Sequence, residues 1–450
     1  MLKAAATDVV RTLRSRGHQA YLVGGCVRDL LLGREPADYD VATSATPNEV
    51  MGIFPQTYAV GAQFGVVLVP VDGACAPESS KRSCIEVATF RSDGLYTDGR
   101  HPDEVRFTRD PKEDVQRRDF TINGLLLDPL NNDEVLDFVG GREDLKSKVV
   151  RTIGEPHRRF NEDKLRMLRA VRFAARFGYT ITPETLSAVR ELAPHIREVS
   201  RERIREELLK MLTEGSARRA FELLDESRLL PEVLPEIPRM KGVEQPPEFH
   251  PEGDVWVHTL MLLEQLSAGV SPTLALGALL HDVGKPPTFR IAPDRIRFDS
   301  HAEVGARMTE DICARLRLSN EDSEKVIALV ADHMRFGEVR KMRDSTFKRF
   351  VRSPNFAEML ELHRMDCLAS HRDLSLYDFV SERLATMPAE QVRPQPLVTG
   401  NDLIAAGYQP GPDFKQMLSA VEDAQLEGSI HSKEEGLALI GREFPLKDAN

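Results

Sequence analysis

The sequence predicts a multidomain α+β protein in which a mixed helix and strand unit comes first and mostly helical units follow. Short apolar runs with strand character occur only before about residue 140. Helical periodicity starts near residue 155, and two proline-rich stretches interrupt it later. A chain of 450 residues is also too long for one ordinary core.

The first unit is predicted over residues 1–145. An amphipathic helix opens the chain, and its charges at Asp8, Arg11 and Arg14 are not those of a signal peptide. We therefore expect a cytoplasmic protein. A short helix, RDLLLG, is expected at 28–33. The predicted strands are AYLVGG (20–25), YDVAT (39–43), GVVLVP (65–70) and IEVATF (85–90).

Three further units are predicted after the first. A helical neck covers 146–238, where Leu165, Leu168 and Val171 recur at helical spacing. A second helical unit covers 239–385, and a small helical tail covers 386–450. The stretch PEVLPEIPRMKGVEQPPEFHPEG (231–253) is rich in proline and lacks periodicity, so it is interpreted as a linker.

Charge is unevenly distributed along the chain. The formal net charge is −11, yet residues 142–220 contain 19 lysines and arginines against 12 aspartates and glutamates. A uniformly basic nucleic-acid-binding surface is therefore excluded, whereas one basic segment that contacts phosphates is expected. With 41% hydrophobic residues and no run of 18 apolar residues, the sequence predicts no membrane partner.

Residues 21–43 combine elements that suit a nucleotide and a metal. Gly24 and Gly25 follow a strand and precede a helix, an arrangement in which backbone N–H groups can face an anion. Arg28 lies in that helix, and Asp38 and Asp40 share one face if both lie in a strand. Each fragment alone also fits an ordinary turn or a polar strand edge. Together they indicate metal-assisted nucleotidyl transfer.

Four motifs in this order carry a family resemblance. They are YLVGGCVRDLLLGREPADYDVAT (21–43), IEVATFRSDGLYTDGRHPDEVRF (85–107), RRDFTINGLLLDP (117–129) and FNEDKLRMLRAVRFAARFGY (160–179). The first resembles the head of polymerase-β-like nucleotidyltransferases. The set resembles the class II CCA-adding tRNA nucleotidyltransferase and bacterial poly(A) polymerase family over most of 20–235. Gly124 departs from the usual alanine, which affects local packing rather than chemistry.

The resemblance implies roles for the head residues. Asp38 and Asp40 would bind two Mg²⁺ ions, and Gly25, Arg28 and Arg118 would hold the triphosphate. Asp119 and Asn123 would support the ribose or the metal site, although a turn or capping role fits them equally. The loop 91–101 corresponds to the segment needed to switch from C to A addition, and its presence disfavours an enzyme that adds C alone.

The motif at 160–179 places four charged residues three apart, namely Asp163, Arg166, Arg169 and Arg172. On a helix this spacing gives a slowly drifting stripe, which also fits a solvated basic face. The resemblance implies instead that Asp163 and Arg166 both pair with the edge of the incoming base and so replace a nucleic-acid template. It further implies that Arg169 and Arg172 reach phosphates.

A second set of residues lies between 258 and 366. Imidazole and carboxylate side chains at helix ends suit a divalent metal, and His281-Asp282 followed by Gly284-Lys285 resembles the HD phosphohydrolase superfamily. That resemblance implies ligands His258, His281, Asp282 and Asp366, with His301 and His333 for a second metal. Hydrolysis of a phosphoester is the implied chemistry. An HD fold kept without turnover is the alternative.

The sequence therefore predicts an enzyme that adds C, C and A to tRNA 3′ ends from CTP and ATP, with Mg²⁺. An A-adding enzyme or poly(A) polymerase shares nearly all these motifs. A metal-dependent phosphohydrolase whose head only binds nucleotide is an alternative of another class, and an RNA-binding protein without turnover is a third. The oligomeric state is not predicted.

Overall fold

A computed structural model describes residues 2–59, 65–71, 84–93, 105–248 and 250–446. The chain divides into two compact units, and each is described by itself. The first unit consists of Met1–Pro238 with Leu266–Gly269, and the second consists of Arg239–Gln265 with Val270–Asn450. The predicted α+β class is confirmed, whereas the bounds of the four predicted domains stay predictions.

A six-stranded mixed sheet forms the centre of the first unit. Its strand order is β3-β4-β2-β1-β7-β8, and only the β2–β4 pair is parallel. The strands are β1 (Ala20–Val23), β2 (Asp40–Thr43), β3 (Val66–Pro70), β4 (Cys84–Thr89), β7 (Leu125–Asp128) and β8 (Glu134–Asp137). A separate two-stranded ribbon consists of β5 (Arg91–Asp93) and β6 (Val105–Phe107). All four predicted strands are confirmed.

Short helices flank this sheet. The first helix buries Ala6, Val9, Val10 and Leu13, the apolar face expected from its amphipathic pattern. A capping box between Thr46 and Glu49 starts the third helix. The helices are α1 (Leu2–Ser15), α2 (Gly25–Leu31), α3 (Pro47–Ile53), α4 (Pro111–Gln116) and α5 (Gly141–Ser147), with a 3₁₀ turn at Thr121–Asn123.

The rest of the first unit is helical, as predicted. Its helices are α6 (Pro156–Glu162), α7 (Leu165–Phe177), α8 (Pro183–Leu192), α9 (Arg201–Thr213), α10 (Ala217–Glu226) and α11 (Leu230–Val233). A two-stranded parallel pair joins β9 (Val149–Val150) to β10 (Thr180–Ile181). Leu165, Leu168 and Val171 are buried, which confirms the apolar face read from their spacing. Helix α7 packs against α9 and α10.

The second unit is almost entirely helical. Its first six helices are α12 (Val255–Glu264), α13 (Pro272–Leu280), α14 (Lys285–Thr288), α15 (His301–Arg315), α16 (Asn320–Asp332) and α17 (Asp344–Val351). Next come α18 (Phe356–Ala369), α19 (Ser375–Thr386), α20 (Ala389–Val392), α21 (Gly400–Ala405), α22 (Asp413–Leu426) and α23 (Lys433–Glu443). One hairpin pairs β11 (Phe289–Ile291) with β12 (Ile296–Phe298). The last three helices share a small core around Leu403, Val421 and Ile440.

Two local predictions differ from the structure. Strand β2 begins at Asp40, so Asp38 lies before the strand and the alternation argument does not apply to it. The stretch 231–253 is more than a linker, because it includes part of α11 and a 3₁₀ turn at Ile237–Met240. Prolines stop regular periodicity, but they do not prevent a segment from packing against its neighbours.

No helix in the described ranges is long and apolar enough to cross a membrane.

Candidate functional site

The glycine pair forms a sharp turn between β1 and α2. Gly24 has a φ of 77°, a left-handed conformation that side chains rarely adopt. A Cβ atom at Gly24 would lie 3.4 Å from Nη1 of Arg118. The backbone conformation of this turn therefore favours glycine, and the Arg118 guanidinium lies in contact range of it.

Acidic side chains lie at the edge of the same turn. In the sheet, Asp40 is the register partner of Val23 on β1 and of Glu86 on β4. Partners in adjacent parallel strands project from the same face, so Asp40 and Glu86 are neighbours. Both are half-buried, and Asp38 is exposed. Like charges in this arrangement repel unless a cation lies between them, so this donor set fits a divalent metal with oxygen ligands.

Arg118 is held in place by Asp114. Its Nε and Nη2 donate to Oδ2 of Asp114 at 3.3 and 2.9 Å, and Arg117 donates to the other carboxylate oxygen. Burial disfavours the charge of Arg118, but the carboxylate of Asp114, followed by that of Asp40, raises its pKa. Asp114 thus fixes a cation beside the glycine turn and the acidic edge.

Arg28 is almost fully buried, with 4% of its surface exposed. Its Nε donates to Asp29 at 2.8 Å, and its Nη1 donates to Oδ1 of Asn123 at 2.6 Å. The guanidinium carbon also lies 4.6 Å from the centroid of the Phe177 ring. These contacts join α2 to the 3₁₀ turn at Thr121–Asn123. A triphosphate contact by Arg28 stays a prediction.

Asp119 connects this 3₁₀ turn to helix α7. Its Oδ2 accepts from Nε and Nη2 of Arg169 at 2.9 and 2.6 Å, and its Oδ1 accepts from Asn123 at 3.2 Å. Burial alone would raise the pKa of Asp119, but the ion pair with Arg169 outweighs it and lowers the pKa to about 2. Asp119 and Asn123 thus link the 3₁₀ turn to α7 in this structure, and their support of the ribose or the metal site stays a prediction.

Asp163 and Arg166 contact other protein side chains in this structure, and their role in reading the incoming base stays a prediction. Arg166 donates to Glu162 at 2.9 Å and to the carbonyl oxygen of Arg117 at 3.1 Å. Asp163 instead accepts two hydrogen bonds from Arg203, at 3.2 and 2.8 Å. Asp163 precedes α7 with an extended backbone, and its Oδ1 also accepts from the backbone N–H of Leu165 at 3.1 Å.

Arg172, the last residue of the charged stripe, also contacts acidic side chains. Arg172 is 6% exposed and its Nε donates to Glu207 at 2.6 Å. Its Nη1 donates to Glu214 at 3.3 Å, and its guanidinium lies 4.5 Å from the Phe173 centroid. Arg172 thus neutralises glutamates in this structure, and its predicted phosphate contact stays a prediction.

The loop 91–101 is described only as far as Asp93, so the prediction that it switches C to A addition lies outside the described residues.

All six predicted HD residues converge in the second unit. They come from the ends or faces of five helices: His258 on α12, His281 and Asp282 after α13, His301 on α15, His333 after α16 and Asp366 on α18. Each apart from Asp366 is less than 10% exposed. They form two groups of three donors, His258 with His281 and Asp366, and Asp282 with His301 and His333.

The two groups are close enough to share ligands. The Nε2 atoms of His258 and His281 are 3.3 Å apart, and those of His301 and His333 are 3.2 Å apart. Asp282 contributes Oδ2 at 3.1 Å from His281 and Oδ1 at 3.7 Å from His301. Burial would raise the pKa of Asp282, but His281 and Lys285 lower it well below its usual range.

The chemistry of these donors fits a metal. The Nδ1 atoms of His301 and His333 lie 2.9 and 2.7 Å from backbone carbonyl oxygens, which can only accept, so each Nδ1 carries the proton. Burial also lowers the pKa of His333 to about 4, which keeps its ring neutral. Two unprotonated Nε2 atoms then face one another, and a cation between them removes their repulsion.

A cavity of about 530 Å³ opens onto this cluster. Asp282, His301 and His333 lie in its wall beside the basic side chains of Lys285 and Arg297. Positive charge next to a metal-binding cluster suits a phosphorylated ligand.

Sequence reasoning missed several residues at these sites. Glu86 was quoted within a motif but not singled out, although strand alternation marks it as a polar residue on a buried strand. Asp114 gives no signal beyond its spacing from Arg118. His250 and Glu252 lie in the stretch interpreted as a linker. Glu252 nevertheless lies 2.6 Å from Nδ1 of His258 in the cluster and 2.9 Å from Nδ1 of His250.

The fold and these sites define the class of the protein, a polymerase-type nucleotidyltransferase joined to an HD domain. The Poly A polymerase head domain matches residues 20–151, the probable RNA- and SrmB-binding site of polymerase A matches 178–240, and the HD domain matches 255–370. These matches confirm the resemblance found in the sequence: the chain contains a Poly A polymerase head domain and an HD domain, and it is similar to curated relatives named CCA-adding enzyme. Head and HD domains of these kinds depend on divalent metals.

Relatives of known name agree with this assignment. The CCA-adding enzyme of Geobacillus stearothermophilus is 43% identical over 224 residues, which is 50% of this chain and 53% of the relative. The chain thus matches about half the length of that curated relative. The crystal structure of the Bacillus stearothermophilus CCA-adding enzyme in complex with CTP covers 97% of this chain and 96% of its own, with 27% identity and a TM-score of 0.69. The Thermotoga maritima CCA-adding enzyme complexed with tRNA shares the fold, with 18% identity, 97% and 94% coverage and a TM-score of 0.56.

Proposed function

We propose that the protein adds C, C and A to the 3′ ends of tRNA, taking the nucleotides from CTP and ATP. The observation that carries this proposal is the placement of Asp40 and Glu86 on neighbouring strands, beside the Gly24 turn and Arg118. A metal held by these carboxylates would lie next to the Arg118 guanidinium, which we expect to bind phosphate. The relatives named CCA-adding enzyme support the choice of tRNA as acceptor.

Asp38 and Asp40 would hold Mg²⁺ in the head, with Glu86 as a further carboxylate. When bound, Mg²⁺ supplies positive charge that activates the 3′-hydroxyl of the RNA and stabilises the departing pyrophosphate. The backbone at Gly25 and the guanidinium of Arg118 would bind the triphosphate. Asp114 would orient Arg118 through the two hydrogen bonds described above.

Selection of the base would take place at the start of α7. Asp163 offers acceptors and Arg166 offers donors, so the two can match the edges of cytosine and adenine in turn. In the structure Arg203 binds Asp163 and Glu162 binds Arg166. Arg203 and Glu162 would therefore keep the two base-reading side chains oriented. Arg28, Arg169 and Arg172 complete the proposed nucleotide site. Without nucleotide, these three arginines would keep the contacts with acidic side chains described above.

The basic segment 142–220 would contact the tRNA backbone, because phosphates favour a local excess of lysine and arginine even on an acidic protein. Binding that depends on this segment should weaken steeply as the salt concentration rises. We further propose that the protein works in the cytoplasm, where CTP, ATP and tRNA occur together.

An A-adding enzyme or poly(A) polymerase is the competing proposal within the family. The test is to incubate the protein with tRNA that lacks CCA, with tRNA that ends in CC, and with an unrelated RNA, each with labelled CTP or ATP. CCA addition predicts C incorporation into the first RNA alone and a single A on the second. Incorporation of A but not C would support the A-adding enzyme, and long A tails on unrelated RNA would support a poly(A) polymerase.

A second function, hydrolysis of a phosphoester by the HD domain, is favoured by the buried His and Asp cluster, which opens into a cavity whose wall also carries Lys285, Arg295 and Arg297. His281→Ala and Asp282→Ala should abolish metal-dependent hydrolysis of bis(p-nitrophenyl) phosphate and leave CTP incorporation intact. Absence of hydrolysis in the metal-loaded parent protein would indicate an HD fold without turnover. Retention of tRNA on a filter without release of pyrophosphate would indicate an RNA-binding protein without transfer activity.

A further inference from the structure

The four histidines of the HD cluster are oriented through their Nδ1 atoms. In three of them, Nδ1–H donates to a backbone carbonyl three residues earlier: His281 to Ala278 at 3.0 Å, His301 to Phe298 at 2.9 Å, and His333 to Val330 at 2.7 Å. Each bond fixes the tautomer and leaves Nε2 free to bind a metal. Backbone supplies the orienting group in all three cases.

His258 is the exception. Its Nδ1 lies 2.6 Å from Oε1 of Glu252, while its Nε2 faces His281 at 3.3 Å and Asp366 at 3.1 Å. A carboxylate only accepts when ionised, so His258 donates from Nδ1 and presents Nε2 to the cluster. The side chain that sets this tautomer is thus one that mutation can remove.

Glu252 is itself firmly held. Its side chain is 4% exposed, and the same Oε1 accepts a second hydrogen bond from Nδ1 of His250 at 2.9 Å. The rings of His250 and His258 meet edge to face, with centroids 4.9 Å apart. His250 and Glu252 both precede α12, so residues outside the helices help to support the proposed metal centre.

We propose that Glu252 is a positioning residue of the HD metal centre: it locks the tautomer and ring orientation of His258 and thereby strengthens metal binding. A carboxylate behind a metal-binding histidine also makes the ring a better donor to the metal. His250 keeps Glu252 in place through the shared oxygen. The inference rests on the proposed metal-dependent function of the HD domain.

A purely structural role for Glu252 makes a different prediction. If it only ties the residues before α12 to that helix, its removal lowers the stability of the metal-free protein and leaves the metal affinity of the folded protein unchanged. A positioning role lowers the affinity even where stability is preserved. Affinity for a metal and stability of the apo protein therefore separate the two roles.

The experiment measures Co²⁺ affinity by chelator competition and visible absorption. All proteins are full-length chains carrying Asp38→Asn and Asp40→Asn, so that head carboxylates do not compete for the ion. Glu252→Ala is expected to weaken Co²⁺ binding by about 10- to 100-fold, with Glu252→Gln in between because an amide oxygen still accepts from Nδ1. Glu310→Gln, the same change at an exposed position on α15, should match the parent.

Each outcome decides a separate claim. Parent-like affinity in Glu252→Ala overturns the positioning role, and if that variant does not fold, parent-like affinity in Glu252→Gln does the same. His281→Ala tests the centre itself. A parent that binds no Co²⁺, or that binds it equally well after His281→Ala, shows that the proposed HD metal centre is wrong, and this inference is then wrong with it.

Discussion

The head and the HD domain each gather side chains that suit a divalent metal, but they differ in burial. In the head, Asp38 is exposed, and Asp40 and Glu86 are half-buried at the edge of a sheet. In the HD domain, His258 and His281 are at most 1% exposed and face each other across 3.3 Å. Solvated carboxylates are screened by water, whereas buried ring nitrogens that face each other need a proton or a cation between them. We therefore expect the head to acquire metal with its nucleotide and the HD cluster to bind metal more tightly.

The strongest way to sharpen this comparison is to remove the head carboxylates. Asp40→Ala should reduce nucleotide incorporation by at least about 1,000-fold, because it removes a ligand for the charge that stabilises the departing pyrophosphate. Thermal unfolding should change little, since the side chain is half-exposed. The assay is incorporation of labelled CTP into tRNA lacking CCA. Asp8→Ala on the exposed face of α1 is the control, and equal activity in both variants would contradict the assigned site.

Metal removal tests the other half of the comparison. At a Co²⁺ concentration 100 times its dissociation constant, the second unit should gain about 2.7 kcal/mol of unfolding free energy over the chelated protein. For a unit of this size, that gain raises its melting midpoint by about 5 °C or more. Calorimetry of parent and His281→Ala proteins measures the shift. A shift that survives in His281→Ala would place the stabilising ion elsewhere.

Within the head, Asp119→Asn should lower the free energy of unfolding by about 2 kcal/mol. The change leaves Arg169 without its carboxylate, and the cost of breaking a buried pair is reduced here because the Arg169 side chain is 34% exposed. Urea unfolding of the full chain measures the effect. Asp133→Asn removes an exposed pair with Lys3 and should cost less than about 1 kcal/mol. Equal costs would show that burial does not distinguish the two pairs.

The same pair predicts a dependence on pH. The pKa of Asp119 is lowered from 3.8 to about 2 in the folded protein, so the unfolded state binds this proton more readily. Its stabilising effect is complete above about pH 4 and is lost as the pH falls towards 2. The difference in unfolding free energy between the parent and Asp119→Asn should be constant from pH 7 to 5 and shrink below pH 4. A difference that stays constant down to pH 3 would contradict the depressed pKa.

The sequence predicted what depends on short contiguous motifs. The strand and turn at 20–25 and the helical character of the neck were predicted correctly. The six HD residues lie together in the structure, as the motif implied. The position of Glu86 next to Asp40 could not be predicted from a contiguous motif, because the two become neighbours only through the parallel pairing of β2 with β4. Which strands pair depends on packing of the whole sheet rather than on local preference.

Side-chain partners were the least predictable feature. Spacing places Asp163 and Arg166 one turn apart, but it cannot show that α7 starts only at Leu165 or that Arg203 approaches from α9. The prediction that the proline-rich stretch is a linker was incomplete for a related reason. Absence of periodicity indicates irregular backbone, and irregular backbone can still place side chains such as Glu252 inside a core.

The bonds from His281 to Ala278 and from His333 to Val330 have an effect beyond the metal. Both carbonyls belong to the last turn of a helix, where backbone oxygens lack partners along the helix. Each imidazole thus pairs one nitrogen with a carbonyl at a helix end and leaves the other nitrogen facing the cluster. Replacing either ring by a shorter side chain is expected to remove a hydrogen bond at a helix end together with a candidate metal ligand, so the two effects are linked at these positions.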